Sequence, residues 1–318
     1  MRMDASTKKS TVSALDPIHG SSEKGLKDDR VSVITATYNR AAYLPFAIES
    51  VLNQTHRHFE YHIVDDGSTD ETRKVVEPYL KDERVRYHVQ ENRGQSVARN
   101  VGLKNSRGRF IAFLDSDDVW EKDKLESQLR ILDLNPDVDV VHSDEEYIDE
   151  KGHPLDRVNM KRYSGFITEK LLIDNFVSFD TALFRRKCYT ELGGLDESLR
   201  RSDDYELWLR YSTRYKFYYQ PRKTIQYRIM PHQLSDDKEA RFSAIKFILD
   251  RFFERYPDAT SDPVKNRAFS RYYVDRGRSR ALKAHYLAAF KDYVAAMSYS
   301  PRSVGPWRAL VRMVLLWK

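Results

Sequence analysis

The chain has 318 residues, 54 Lys and Arg against 48 Asp and Glu for a net charge of +6, and 41% hydrophobic residues. This composition excludes a wholly disordered chain and suits one large folded unit or two smaller ones. The longest apolar runs, such as 313–317, are far short of the ~20 residues of a spanning helix. A single cysteine, Cys188, excludes an intrachain disulfide and a Cys-clustered metal site. With no apolar segment of signal type at the N-terminus, these features fit a cytoplasmic protein.

Residues 1–29, rich in Ser, Lys, Asp and Gly, read as a flexible leader. The β-branched run at 31–37 predicts a buried strand. A helix over 41–53 follows, with Leu44, Ile48, Val51 and Leu52 on one side. Further strands are predicted at 61–64, 85–89 and 110–114. Helices over 69–80, with Thr69 or Asp70 as cap, and over 96–104 separate them. Alternation through about residue 145 implies an α/β fold with a mostly parallel, doubly wound sheet, which binds ligands beyond the carboxyl ends of its strands.

The segment 146–235 is less regular and holds a helix candidate over 203–215. From 239 the pattern is helical. Phe242, Ile245, Phe247, Ile248 and Phe252 recur at helical spacing over 240–256, and 266–280 with 281–297 reads as a helical hairpin. The expected organisation is a leader (1–29), an α/β domain (30–238) and a basic helical extension (239–318). Lys and Arg outnumber Asp and Glu 16 to 6 over 240–318, against 38 to 42 before it. Such a tail suits phosphate, an anionic lipid surface or a solvated helical face, and no nucleic-acid-binding motif accompanies it.

Two strand ends carry carboxylates. In Phe113-Leu114-Asp115-Ser116-Asp117-Asp118, acids at i and i+2 beyond an apolar strand converge on one point. Left uncompensated they are costly, and a divalent cation, Mn2+ or Mg2+, carrying a diphosphate would compensate them. A polar turn capping a helix near Trp120 accounts for the same residues. At Asp65-Asp66-Gly67-Ser68-Thr69-Asp70, an Asp suits a base or ribose hydroxyl, or the turn is structural with Asp70 as cap. Arg93 and Arg99 flank a turn glycine and a helix, where either can meet a phosphate or an acidic strand end. Asp203 and Asp204 either complement a helix start or supply a general base whose neighbour raises its pKa. The P-loop, the G-x-G-x-x-G turn and the G-x-S-x-G elbow are missing, which argues against P-loop kinases, the commonest nicotinamide-binding fold and serine hydrolases.

Taken in order, five segments resemble the family 2 glycosyltransferases of GT-A fold, over roughly residues 31–235. They are Val31-Ser32-Val33-Ile34-Thr35-Ala36-Thr37-Tyr38-Asn39-Arg40, the Asp65-to-Asp70 turn, Arg93-Gly94-Gln95-Ser96-Val97-Ala98-Arg99-Asn100, Asp115-Ser116-Asp117 and Asp203-Asp204-Tyr205-Glu206-Leu207-Trp208. The resemblance implies an inverting enzyme that moves a sugar from a nucleoside diphosphate sugar, a UDP-sugar in the first instance, to a hydroxyl of a glycan or lipid-linked acceptor. It implies Thr37 and Tyr38 in the nucleoside pocket, Asp66 and Asp65 at the base or ribose, and Arg99 and Arg93 near the nucleotide. It implies Asp115 and Ser116 beside the ribose, and Asp115 and Asp117 on the divalent metal. Asp204 matches the family's catalytic base, with Asp203 as its acidic neighbour, and Trp208 would help form the acceptor side. His232 is displaced from the spacing of the family's tail motif.

The basic, apolar stretch 306–318 suggests peripheral contact with the inner face of a membrane, or packing on protein. Two rival readings are weighed. A sugar-nucleotide-forming nucleotidyltransferase would show a glycine-rich phosphate loop near the first strand, which Ala36-Thr37-Tyr38-Asn39 is not. A noncatalytic binding module descended from such an enzyme would lose carboxylates that are all present here.

Overall fold

The computed structural model describes residues 28–230 and 237–316. Its strands are β1 (Val31–Thr37), β2 (Phe59–Asp65), β3 (Val85–Val89), β4 (Phe110–Phe113), β5 (Val119–Trp120), β6 (Val140–Ile148), β7 (Leu183–Arg185) and β8 (Phe217–Arg228). They form one eight-stranded sheet in the order β3-β2-β1-β4-β7-β6-β8-β5. The first four pair in parallel as expected. Beyond β4 the sheet is mixed: β7 runs antiparallel to β4 and β6, β8 parallel to β6, and β5 antiparallel to β8. Every residue of β2 is buried and nearly every one of β1; β1 accordingly reads as a largely β-branched run, whereas β2 also buries Glu60, His62 and Asp65.

Prolines set two helix boundaries that the apolar period misses. Helix α1 (Leu44–Leu52) starts three residues later than expected, because Pro45 sits in its first turn and its ring would clash with a helical carbonyl at position 41. Helix α2 (Thr72–Val76) gives way to a 3-10 turn at Glu77–Lys81, where Pro78 removes an amide donor. The N-cap of α2 is Glu71 and not Thr69 or Asp70; Asp70, just before it, accepts from the Thr72 amide at 3.0 Å in a local turn and from the Ala41 amide at 3.1 Å. Helix α3 (Gln95–Asn105) opens at Gly94, whose φ of +96° an L side chain rarely adopts. Trp120 lies in β5, and helix α4 (Lys124–Leu134) begins beyond it.

Glu60 on β2 fastens the base of the parallel half. It accepts from the Ser32 hydroxyl at 2.7 Å, from the amides of Arg107 and Gly108, and from Arg30 at 3.0 Å. Burial alone would raise its carboxyl, but His62, those amides and Ser32 hold it far below the usual carboxylate range.

Short helices α5 (Thr168–Leu171) and α6 (Arg186–Leu192) precede α7 (Asp203–Ser212). Four helices follow: α8 (Lys238–Arg255), α9 (Asp262–Leu282), α10 (Tyr286–Tyr299) and α11 (Val304–Leu316). Ile248 and Phe252 of α8 and Val264 and Phe269 of α9 share one core with Phe184, Trp208 and Phe217, so these helices pack directly on the sheet unit. Helices α10 and α11 close a smaller cluster of their own against α9, with Val274, Tyr293 and Met313. Gly277 lets α10 approach α9: a Cβ there would stand 2.6 Å from the Tyr293 ring.

Candidate active site

Beyond the carboxyl ends of β1, β2 and β4 lies a cleft of roughly 870 Å3, a volume that suits a ligand larger than a single sugar. Thr37, Tyr38, Asp66, Asp115, Ser116 and Asp117 line it from the strand ends, and Asn175, Asp203 and Asp204 line it from the α7 side. Tyr38 is 45% exposed, leaving its ring free, and the buried Thr37 hydroxyl has no hydrogen-bond partner among the described residues.

Asp66 is held by the chain that follows β3. It accepts from the Arg93 amide at 2.9 Å, the Gly94 amide at 2.7 Å and Gln90 Nε2 at 2.6 Å. Arg93 contributes its amide here, and its side chain is exposed outside the cleft lining. Asp65 is turned away. Its carboxylate is taken by the Ser68 amide at 2.8 Å and the Tyr87 hydroxyl at 2.5 Å, and it is absent from the cleft lining. The expectation that Asp65 reaches the nucleoside is therefore corrected: its carboxylate is held by Ser68 and Tyr87 outside the cleft lining, and Asp66, just past the end of β2, lines the cleft.

Arg99 joins the two sides. It donates to Asp115 at 2.5 Å and to Asp203 at 2.8 Å, with its guanidinium 4.2 Å from the Phe179 ring centroid. Asp203 also accepts from Gln95 Nε2 and the Ser96 hydroxyl, each at 2.9 Å. Both its oxygens are thus engaged, which makes it an anchor at the start of α7. Asp204 is partly exposed to the cleft and accepts from Asn175 Nδ2 at 3.1 Å. Burial raises the Asp204 carboxyl, and the Asp203 charge raises it further. Ser202, just before them, has φ of +57°, a strained conformation for a non-glycine residue and one that clusters at functional sites.

Asp115 and Asp117 present hard oxygen donors to the cleft. Arg40 stands 3.5 Å from Asp117. Burial raises Asp117, and Asp115 adds to the effect. Among the described residues, no three His, Cys, Asp or Glu side chains form a complete metal-ligand group. Two carboxylates with phosphate and water oxygens are nevertheless a usual set for Mg2+ or Mn2+, and the donors present fit it.

Beneath them lies a pair that sequence reasoning missed. Asp118 accepts from the Arg228 amide at 2.8 Å, while its other oxygen and both oxygens of the buried Asp180 have no hydrogen-bond donor among the described residues. Burial and neighbouring acids raise both carboxyls well above the usual range. Burial also pushes the nearby Lys124 ammonium down to about 7. The one sequence signal for Asp180 is an acid inside an apolar, aromatic stretch.

Trp208 requires a second correction. It is fully buried, ringed by Phe179, Phe184, Tyr211 and Phe217, and cannot form an acceptor surface. Helix α7 enters this aromatic cluster one turn after Asp204. His232 lies outside the described residues.

The model of glycosyl transferase family 2 matches residues 32–193. An uncharacterized glycosyltransferase of Rickettsia felis is 37% identical over 196 residues, 62% of this chain and 32% of that protein. The chain therefore spans about a third of that relative's length. S. aureus TarS 1-349 in complex with UDP-GlcNAc matches with a TM-score of 0.66 and 20% identity, over 84% of this chain and 81% of that one. The mannosyltransferase PcManGT from Pyrobaculum calidifontis, in complex with GDP-Man and Mn2+, matches with a TM-score of 0.62 and 18% identity, over 92% and 82%. Both likenesses are of fold: a GT-A sheet followed by helices.

Proposed function

Because the chain belongs to glycosyl transferase family 2, we propose that it transfers a sugar from a nucleoside diphosphate sugar, a UDP-sugar in the first instance, to a hydroxyl of a glycan or lipid-linked acceptor. The observation that carries this reading is one cleft holding both strand-end carboxylates and a separately held carboxylate of raised pKa, Asp204. Two fold neighbours carry nucleotide sugars, one a UDP-sugar and one a GDP-sugar, so the base is left to the experiment.

Thr37, Tyr38 and Asp66 receive the nucleoside. Asp204 takes the proton of the acceptor hydroxyl as its oxygen attacks the anomeric carbon. The bond from that carbon to the diphosphate oxygen breaks, and the diphosphate leaves with the electron pair. This single displacement inverts the anomeric centre and needs no protein nucleophile. General-base help of this kind contributes typically ~10²–10⁴-fold, most effectively from a carboxyl raised towards the working pH. Asp203 and Arg99 fix Asp204 relative to Asp115. A divalent cation on Asp115 and Asp117 would neutralise charge on the departing diphosphate.

The test is calorimetric binding of UDP, GDP and dTDP, each with and without Mn2+, to wild type and Asp117→Asn. The reading expects metal-dependent binding of one nucleotide, weakened at least about tenfold in the variant, or ~1.4 kcal/mol. A folded wild type that binds none of the three in either condition would overturn it.

A further inference from the structure

Helix α11 is apolar on two faces. Ala309 and Met313 are buried in the cluster with Val274 and Tyr293. The other face is bare: Val304, Trp307, Val311, Val314 and Leu315 are 57%, 52%, 58%, 50% and 65% exposed. At helical spacing these five fall within an arc of about 100°. Arg308 and Arg312 run along one edge of that arc, between it and the buried face. On the preceding helix α10, Leu287, Phe290 and Val294 form a second exposed row, spaced at i, i+3 and i+7. Single exposed apolar residues are ordinary, whereas rows of this length on two successive helices mark a contact surface.

The charge identifies what it contacts. Over 281–316 the cations are Lys283, Lys291, Arg302, Arg308 and Arg312, all exposed; Lys283 lies within electrostatic reach of Glu239 on α8, and the other four are, among the described residues, in no ion pair. The one acid in that stretch, Asp292, is buried and bound to Arg276 at 2.5 Å and Arg280 at 3.0 Å, so it offsets none of them. A face with bulky apolar groups, a tryptophan and unopposed cations complements an anionic lipid surface. A second copy of the chain complements it poorly, since two such faces would set cation against cation with no acid between. No described helix is long and apolar enough to cross a membrane, so the contact for these helices is with the surface.

We propose that α10 and α11 dock the protein on an anionic phospholipid surface, with Trp307, Val311 and Leu315 at the acyl boundary and Arg308 and Arg312 at the headgroup phosphates. The inference is independent of the transferase reading, because none of these residues lines the cleft.

The full chain is floated with vesicles of phosphatidylcholine alone, or mixed equally with phosphatidylglycerol, at low and high salt. Wild type is expected to bind the mixed vesicles in a salt-sensitive way and to ignore the neutral ones. The double variant Trp307→Glu/Val311→Glu is expected to bind at least about tenfold more weakly. Arg308→Ala and Arg312→Ala are each expected to lower partition roughly fivefold, and being surface changes they keep the test open if the apolar variant fails to fold. Equal binding to both vesicle types overturns the proposal, as does wild-type binding by folded Trp307→Glu/Val311→Glu. A concentration-dependent dimer in the ultracentrifuge, abolished by that variant while vesicles stay unbound, overturns it in favour of self-association.

Discussion

Asp66 and Asp203 are both buried carboxylates of the cleft with both oxygens engaged, yet they are fastened differently. Asp66 accepts from two backbone amides, of Arg93 and Gly94, and from one side chain. Asp203 accepts from three side chains, of Gln95, Ser96 and Arg99. The contrast extends outward: Glu60 ties the parallel half through the Arg107 and Gly108 amides, while Asp204 rests on the Asn175 side chain. Backbone donors come with the fold whatever the side chains are. Side-chain donors must each be specified, so the α7 side can be retuned, or broken, one substitution at a time.

The largest effect belongs to the α7 side. Asp204→Asn is expected to lower kcat by ~10²–10⁴-fold while leaving nucleotide affinity unchanged, checked by product release and calorimetry on the same preparation. Loss of affinity together with turnover would place Asp204 among the donor's binding groups and dissolve the contrast.

On the backbone-fastened half the expected effect is on stability. Glu60→Gln is expected to cost about 1–3 kcal/mol at pH 7. The folded carboxyl of Glu60 lies below its unfolded value, so the stability it adds is present above the unfolded value of about 4.3 and is lost as pH falls through the folded one. Denaturant midpoints of wild type and variant should therefore converge as the medium is acidified below pH 4. A gap that stays constant would mean that shape, and not charge, matters at this site.

The smallest effect is expected at Arg93. Only its amide meets Asp66, so Arg93→Ala should change nucleotide affinity by no more than about twofold, within the ~0.5 kcal/mol usual for surface substitutions. Calorimetry checks this directly, and a larger loss would show its side chain working at the phosphates.

One half of the molecule is readable from its sequence for a physical reason. Strands β1, β2 and β4 are buried, β3 is a partly exposed edge strand, and short helices separate them, so local pattern and final environment agree. The prolines at 45 and 78 are visible in the same stretch, but apolar spacing alone runs past them and shifts two helix ends. Beyond β4 the pattern fails because contacts are distant in the chain. Asn175 meets Asp204 and Asp180 lies beside Asp118 only after β6, β7 and α7 have assembled. Trp208 shows the converse error: an aromatic one turn from a cleft carboxylate resembles a binding surface, but the helix beyond its first turn is enclosed. Motif spacing places Asp66, Arg99 and Asp115 at the cleft. The choice between Asp65 and Asp66 requires knowing which of them lines the cleft, and that between Asp203 and Asp204 requires knowing which oxygens are already occupied.

The division of labour between Asp203 and Asp204 is tested most directly by the pH profile of kcat for wild type and Asp203→Asn. The Asp203 charge helps to raise Asp204, so removing it should move the acid limb to lower pH while measurable turnover survives at neutral pH. An unmoved limb, or turnover as low as that of Asp204→Asn, would contradict the assignment of Asp203 as anchor and Asp204 as base.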